Sequence, residues 1–318
     1  MSNQPLLSLA VPVYNGSKFL PGCLDSLEAG VKALSEADRA QLELVLCDNH
    51  STDDSLEQLK ARNFGCATQV IQPPAHFENR TINWDYALRA TKGEWMLMLH
   101  ADDLLAPDGF TEMFKAIRRK AASKAALVGG QHRVFTDTTP VGSPVPRWPL
   151  PSLVSGEALR KKVLPSMCVF PPFLIMRRSV YEKVGGLDPQ YQLVQDWDLW
   201  YRMLEHGGNL YHPGVFCHWR SHPYSESMGN LFSREKMLFV SRLSDKPTEA
   251  LKFQLAKVRA CDANANLTGL VAETDAEPKV ASLEPLTWEN AVALTHTFHR
   301  QVGIDLNLLR LAGLTGAL

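Results

Sequence analysis

Hydrophobic positions in the first hundred residues alternate between two periods. Leu6 to Val13 is a β-like run, closed by the turn signal Tyr14-Asn15-Gly16. Phe19, Leu20, Cys23, Leu24 and Leu27 then recur at helical spacing. A second strand run, Leu42 to Cys47, breaks at the polar stretch Asp48 to Asp54. There a Ser or Thr cap followed by acids predicts a helix through Leu56 and Leu59. Gln69 to Gln72 reads as a third strand, followed by Pro73-Pro74 and a helix through Ile82, Tyr86 and Ala90. Trp95 to Leu99 is a fourth strand, ending at His100-Ala101-Asp102-Asp103, and Pro107 stands where the first turn of a helix tolerates proline.

Such alternation predicts an α/β fold, a mostly parallel, Rossmann-like sheet flanked by helices. Ligands of these sheets collect beyond the carboxyl ends of the strands. The polar clusters Tyr14-Asn15, Asp48-Asn49 and Asp102-Asp103 all fall at such ends. Thr136 to Pro151 holds five prolines and reads as a loop. An apolar run resumes at Leu174 to Met176, with helical spacing around Val180 to Val184 and from Gln195 to Glu205. From about Asn230 the pattern becomes consecutively helical, with a polar break at Ala272 to Lys279 and a further helix over Trp288 to Leu318, interrupted at Gly303. The division is therefore an α/β domain over 1–225 and a helical C-terminal part over 226–318.

Composition narrows the function. Across 318 residues, 33 Lys and Arg face 34 Asp and Glu, so the broad basic surface of a nucleic-acid-binding protein is missing. No apolar run reaches the roughly 18–20 residues needed to span a bilayer. The N-terminus has no basic flank ahead of its apolar stretch, so it reads as neither signal peptide nor anchor. Six cysteines, Cys23, Cys47, Cys66, Cys168, Cys217 and Cys261, are scattered without a C-x-x-C pair and read as reduced thiols in a cytoplasmic protein.

The usual phosphate cradles, G-x-G-x-x-G after the first strand and G-x-x-x-x-G-K-[ST], do not occur, and neither do H-E-x-x-H and G-x-S-x-G. A sheet whose strands end in carboxylates points instead to a divalent cation gripping a substrate diphosphate. Mg²⁺ or Mn²⁺ takes hard oxygen ligands, a few from protein and the rest from phosphate and water. Asp102 and Asp103 are the best such pair, since adjacent ionised carboxylates repel unless a cation or strong donors sit between them. The competing reading is a helix N-cap ahead of Pro107.

Five segments in order complete the picture: Ser8 to Gly16 (SLAVPVYNG), Val45 to Asp54 (VLCDNHSTDD), Ala87 to Asp103 (through TKGEW to HADD), Arg177 to Trp200 (with VGGLD and QDWDLW) and Trp219 to Ser225. Together they closely resemble glycosyltransferase family 2, over about residues 6–225. That resemblance implies the GT-A fold and a metal-dependent enzyme moving one sugar from a nucleotide-diphosphate donor to a hydroxyl acceptor, with inversion. Cell-surface polysaccharide synthesis is the setting it fits.

The resemblance also implies roles. Pro12 and Tyr14 line the nucleoside pocket, Asp48 accepts a hydrogen bond from base or ribose, and Arg80 or Asn83 approaches base or diphosphate. Asp102 and Asp103 match the metal-binding carboxylates, and Asp102 faces the donor as well. His222 matches the position that reaches over the diphosphate or completes the metal shell, beside Arg220, a natural phosphate fork. Asp196 matches the catalytic base, which takes the proton of the attacking hydroxyl; Asp198 is its rival. Ordinary readings stand beside these: core packing for Tyr14 and Trp84, a turn for Asp48, a capping or exposed acid for Asp198.

This chain departs from the family at His100 and Gln195, where acids are common. Imidazole is a poor Mg²⁺ ligand, so His100 reads as a phosphate or sugar contact or as simple packing. Two other functions remain open: a nucleotide-sugar-binding protein without transfer activity, and a sugar-nucleotide nucleotidyltransferase. The leucines at 306, 308, 309, 311 and 314 fit a homodimer contact, a face lying on the inner membrane surface, or intrachain core. A lipid-linked saccharide acceptor would call for the membrane surface.

Overall fold

A computed structural model of the protein describes residues 4–144, 152–160 and 173–221, together with Glu235 and Phe239. The chain divides into one unit of Met1–Leu159 with Phe170–Pro223 and a second of Arg160–Val169 with Tyr224–Leu318. The second falls almost wholly outside the described residues, as do His222 and the predicted C-terminal helices.

In the first unit, β1 (Leu7–Val13), β2 (Leu42–Asp48), β3 (Ala67–Ile71) and β4 (Trp95–Met98) run parallel in the order β3-β2-β1-β4. The sheet continues through β8 (Leu174–Arg177), β6 (Ala125–Phe135), β9 (Gly208–Arg220) and β5 (Leu104–Leu105), and β7 (Ser152–Val154) pairs with β9. β8 is antiparallel to both β4 and β6, whereas β6 and β9 are parallel again, so the sheet is mixed with most of its paired length parallel. Strands β1 and β2 are buried at every position, which explains why they are apolar on both faces apart from Ser8, Glu43 and Asp48.

Helix α1 (Leu20–Ala33) lays Leu20, Cys23, Leu24, Leu27 and Val31 on the core. At Gly30 an added Cβ would stand 2.2 Å from Leu105 and 3.1 Å from Phe110, so the missing side chain lets β5 and the helix Gly109–Ile117 close on α1. Short helices α2 (Glu36–Arg39) and α3 (Ser55–Lys60) follow. The predicted Ser or Thr cap on α3 is instead Asp54, which makes no side-chain cap bond. Further along are α4 (Arg80–Ala90), α5 (Gly109–Ile117), α6 (Arg178–Lys183) and α7 (Gln195–Met203).

A buried polar clasp ties the amino ends of the parallel strands. Ser8 Oγ donates to Glu43 Oε2 at 2.6 Å, and the backbone N–H groups of Lys92 and Gly93 donate to Glu43 Oε2 and Ser8 Oγ, each at 2.7 Å. Gln69 adds a bond to Glu43 from β3 at 3.3 Å. A Cβ at Gly93 would stand 2.7 Å from Ser8, so this turn requires glycine.

Candidate active site

Chain order reverses between β1 and β4, because β2 and β3 lie to one side and β4 and β8 to the other. At such a switch point the strand ends diverge and leave a crevice. Three loops meet there, after β1, β2 and β4.

The first two are stitched together. Asn15 takes a left-handed conformation (φ 49°), tolerated by its short polar side chain, and its Oδ1 accepts from Thr52 N at 2.8 Å. Gly16 N donates to Ser55 Oγ and Ser17 N to Asp53 Oδ2, each at 3.0 Å. This leaves Tyr14 50% exposed, so core packing is not its role; its ring leans on His76 with centroids 4.6 Å apart. Asp48 is fully buried: its carboxylate accepts from Ser51 N at 3.2 Å, as a turn would have it, and from Gln72 Nε2 at 2.8 Å. Pro12 is buried in β1, and Asn83 is buried on α4 with Oδ1 accepting weakly from Cys47 Sγ at 3.7 Å.

After β4 the acid pair does not cap a helix. Asp102 and Asp103 lead into the two-residue strand β5, and α5 begins only at Gly109 behind Asp108. Pairing of Leu104 and Leu105 with His218 and Cys217 brings the end of β9 alongside. Arg220 N donates to Asp103 Oδ1 and Arg220 Nε to the Asp102 carbonyl, both at 2.8 Å, while Nη1 pairs with Asp137. The guanidinium lies between the rings of Phe135 (4.5 Å) and Phe19 (5.0 Å). Arg220 is thus occupied by protein groups.

His100 completes a cluster. One ligand atom each from His100, Asp102 and Asp103 lies within 4.8 Å of the others, and His100 Nδ1 faces Asp103 Oδ2 at 3.5 Å. Asp103 is 1% exposed, yet its Oδ2 has no hydrogen-bond partner, and neither does the buried Nε2 of His100. Burial pushes the Asp103 carboxyl above the usual range, with the Asp102 charge adding to it. Burial would lower His100, but Asp103, Asp102 and Asp196 outweigh it and hold the imidazole above its ordinary value. Cys23 and Cys217, buried and within the field of Asp103, are held as thiols. An orphaned buried carboxylate oxygen beside a second acid and an imidazole is a donor set that fits a divalent cation.

Asp196 reaches this cluster from the other side of the sequence. The N-terminus of α4 holds the incoming loop: Asn79 Nδ2 donates to the Pro189 carbonyl at 2.9 Å, Thr81 Oγ1 to that of Tyr191 at 2.6 Å and Arg80 Nε to that of Gln192 at 2.7 Å. These bonds fix the segment leading into α7 to the start of α4, and α7 carries Asp196 in its first turn with Oδ1 accepting from Trp197 N at 2.9 Å. Burial lifts the Asp196 carboxyl to about 6, against the opposing charges of His100 and Arg80. Asp198 is instead paired with Arg202 at 2.6 Å one turn along the same helix, and it neither caps that helix nor stands exposed. Trp200 is buried and Trp197 half-buried.

Trp84 is half-buried rather than core. Its ring packs on the His100 ring at 4.7 Å and carries the Arg80 guanidinium at 5.7 Å. Sequence reasoning set it aside because a tryptophan on a helix is usually core; the Arg80-x-x-x-Trp84 spacing, one helical turn, was the available signal. Gln72 and His76 likewise escaped notice.

The structure therefore joins Arg80, Trp84, His100, Asp102, Asp103, Asp196 and Arg220, and sets Tyr14, Asp48 and His76 at the neighbouring strand ends. The sequence profile described as Glycosyl transferase family 2 matches residues 8–185, more than half of the chain. This chain belongs to glycosyltransferase family 2.

Within that family it is 24% identical to a chondroitin synthase of Escherichia coli over 208 residues, covering 64% of this chain and 27% of the synthase. The chain spans less than a third of the length of the first curated relatives it matches. Among solved structures it resembles Staphylococcus aureus TarS 1–349 in complex with UDP-GlcNAc, with a TM-score of 0.60 and 15% identity over 92% of this chain and 89% of that one. It also resembles the Pyrobaculum calidifontis mannosyltransferase PcManGT in complex with GDP-Man and Mn²⁺ (TM-score 0.56, 14% identity, 95% and 87% covered). These likenesses establish the GT-A fold. Among the described residues no helix is long and apolar enough to cross a membrane.

Proposed function

We propose that this glycosyltransferase moves one sugar from a nucleotide-diphosphate donor to a hydroxyl of a saccharide acceptor, in a single displacement that inverts the anomeric carbon. One observation carries the reading: Asp196, distant in sequence, lies within the electrostatic field of the His100–Asp102–Asp103 cluster. An acid whose proton affinity sits near neutrality, beside a site for an anionic leaving group, suits a general base for an attacking alcohol.

Asp196 takes the hydroxyl proton as the oxygen attacks C1, and Arg80 stabilises its carboxylate form. Tyr14 offers its exposed ring to the nucleoside, and the loop closed by Asp48 and Gln72 forms the floor beneath. Asp102 and Asp103 would hold a divalent cation, Mg²⁺ or Mn²⁺, which supplies charge neutralisation for the departing diphosphate when bound. The family position at His222 lies outside the described residues. Relatives that include a chondroitin synthase and the O-antigen biosynthesis protein RfbC of Myxococcus xanthus support a polysaccharide acceptor.

The test is acceptor-dependent release of nucleoside diphosphate from UDP-, GDP- and dTDP-sugars, preceded by a melting screen in which the bound donor raises stability by mass action. Binding without release would favour a non-catalytic carrier; pyrophosphate formed from sugar phosphate and NTP would favour a nucleotidyltransferase.

A further inference from the structure

We propose that His100 is a nitrogen ligand of the catalytic cation and biases the site toward first-row transition ions such as Mn²⁺ over Mg²⁺. This rests on the transferase reading above and goes beyond it by assigning the residue that chooses the ion.

The placement of His100 resists explanation as packing. Packed histidines usually satisfy their ring nitrogens. Here Nε2 is buried without a partner, and Nδ1 stands 3.5 Å from Asp103 Oδ2, which has no hydrogen bond of its own. The Arg220 backbone N–H bonds Asp103 Oδ1 at 2.8 Å while Oδ2 is buried without a hydrogen bond, so the second oxygen is the one that calls for a ligand. Two ligands about 2.1 Å from one octahedral ion stand roughly 3–4 Å apart, close to what this cluster already offers. Trp84 packs against the imidazole in a tilted contact, with centroids 4.7 Å apart and planes 31° apart, and so limits the ring's rotation. A nitrogen in the shell favours ions that accept imidazole and disfavours Mg²⁺, which keeps to oxygen.

The experiment uses the full chain with Mn²⁺ and UDP, then Mn²⁺ and GDP. Pulsed EPR of bound Mn²⁺ reads ¹⁴N coupling directly, and calorimetry compares Mn²⁺ with Mg²⁺. The expected result is a ¹⁴N coupling that vanishes in His100→Asp, together with a Mn²⁺-over-Mg²⁺ preference that shrinks about tenfold or more. His100→Asn serves as a second, uncharged variant that also lacks a ring nitrogen, and circular dichroism verifies that each variant folds.

Bound Mn²⁺ without ¹⁴N coupling, or coupling that survives both substitutions, overturns the assignment. So does failure of Mn²⁺ to bind with either nucleotide. Sugar transfer persisting in EDTA would remove the ligand proposal and leave the transferase reading standing. Absence of acceptor-dependent nucleotide release with every donor and ion would remove the transferase reading instead.

Discussion

Arg220 grips Asp103 through its own backbone: the Arg220 N–H donates to Asp103 Oδ1 at 2.8 Å, while its side chain reaches the Asp102 carbonyl at the same distance. The last residue of β9 thereby holds the acid pair in place, and the guanidinium, drawn as well to Asp137, braces the loop rather than pointing outward. Replacing it with Met keeps the backbone bond and removes the brace. Arg220→Met is expected to lower transfer about 10- to 100-fold with weakened Mn²⁺ binding, since supporting contacts of metal ligands have effects of that size. Calorimetry of Mn²⁺ binding decides it: unaltered affinity would mean that the brace does not set the acid geometry.

Asp196→Asn should slow transfer about 10²–10⁴-fold and leave donor affinity nearly unchanged, as removal of a general base does. Single-turnover rates beside donor titrations separate the two effects. Near-normal turnover would move the base elsewhere.

The rate should also follow the protonation of Asp196. Its carboxyl is lifted to about 6, and only the ionised form accepts a proton, so activity falls as pH drops through that value. Arg80 favours the ionised form; Arg80→Gln should therefore move the acid limb to higher pH. A pH–rate profile of kcat/KM in both proteins checks the direction.

His132 provides a stability test remote from turnover. It is 6% exposed on β6, and burial lowers its imidazole from about 6.5 to about 4. Between those values the unfolded chain takes up a proton that the native state refuses. Stability is therefore fully present above about pH 6.5 and lost as pH falls toward 4, by about 3 kcal/mol for this group. His132→Gln removes that titration, so urea midpoints at pH 5 and 7 should lie closer together than in the parent. An unchanged spacing would refute the assignment.

Ser8→Ala should destabilise the fold by about 1–3 kcal/mol, because Gly93 N–H loses its acceptor and Glu43 a donor within the interior. Differential scanning calorimetry should show a melting temperature several degrees lower. Coincidence with the parent would show that water replaces the hydroxyl.

The parallel half of the sheet was legible because β1, β2 and β4 are almost wholly buried and read as apolar runs broken within β1 and β2 only by Ser8 and Glu43 before the strand ends. Strand β6 was not read, since Gly129, Gly130, Gln131 and His132 interrupt its apolar pattern; an added Cβ at Gly130 would stand 2.4 Å from the Phe216 ring, a contact no local pattern shows. β9 was hidden for a similar reason, with Pro213 and Gly214 in its middle. The acids were visible as motif residues. Their braces were not: Arg220 and the loop from Pro189 to Gln192 act through contacts more than a hundred residues apart in sequence, and Trp84 meets His100 across a helix, a turn and a strand. Helix α7 carries polar residues in its first turn, so periodicity alone did not reveal what Asp196 faces.

The Ser8–Glu43 clasp sits at the strand ends away from the crevice, joining β1, β2, β3 and the turn before β4. Rigidity and recognition are thus assigned to opposite rims of one sheet. Segments grafted onto the crevice rim would leave the fastening untouched, so the loops of this scaffold are open to exchange without rebuilding the sheet beneath them.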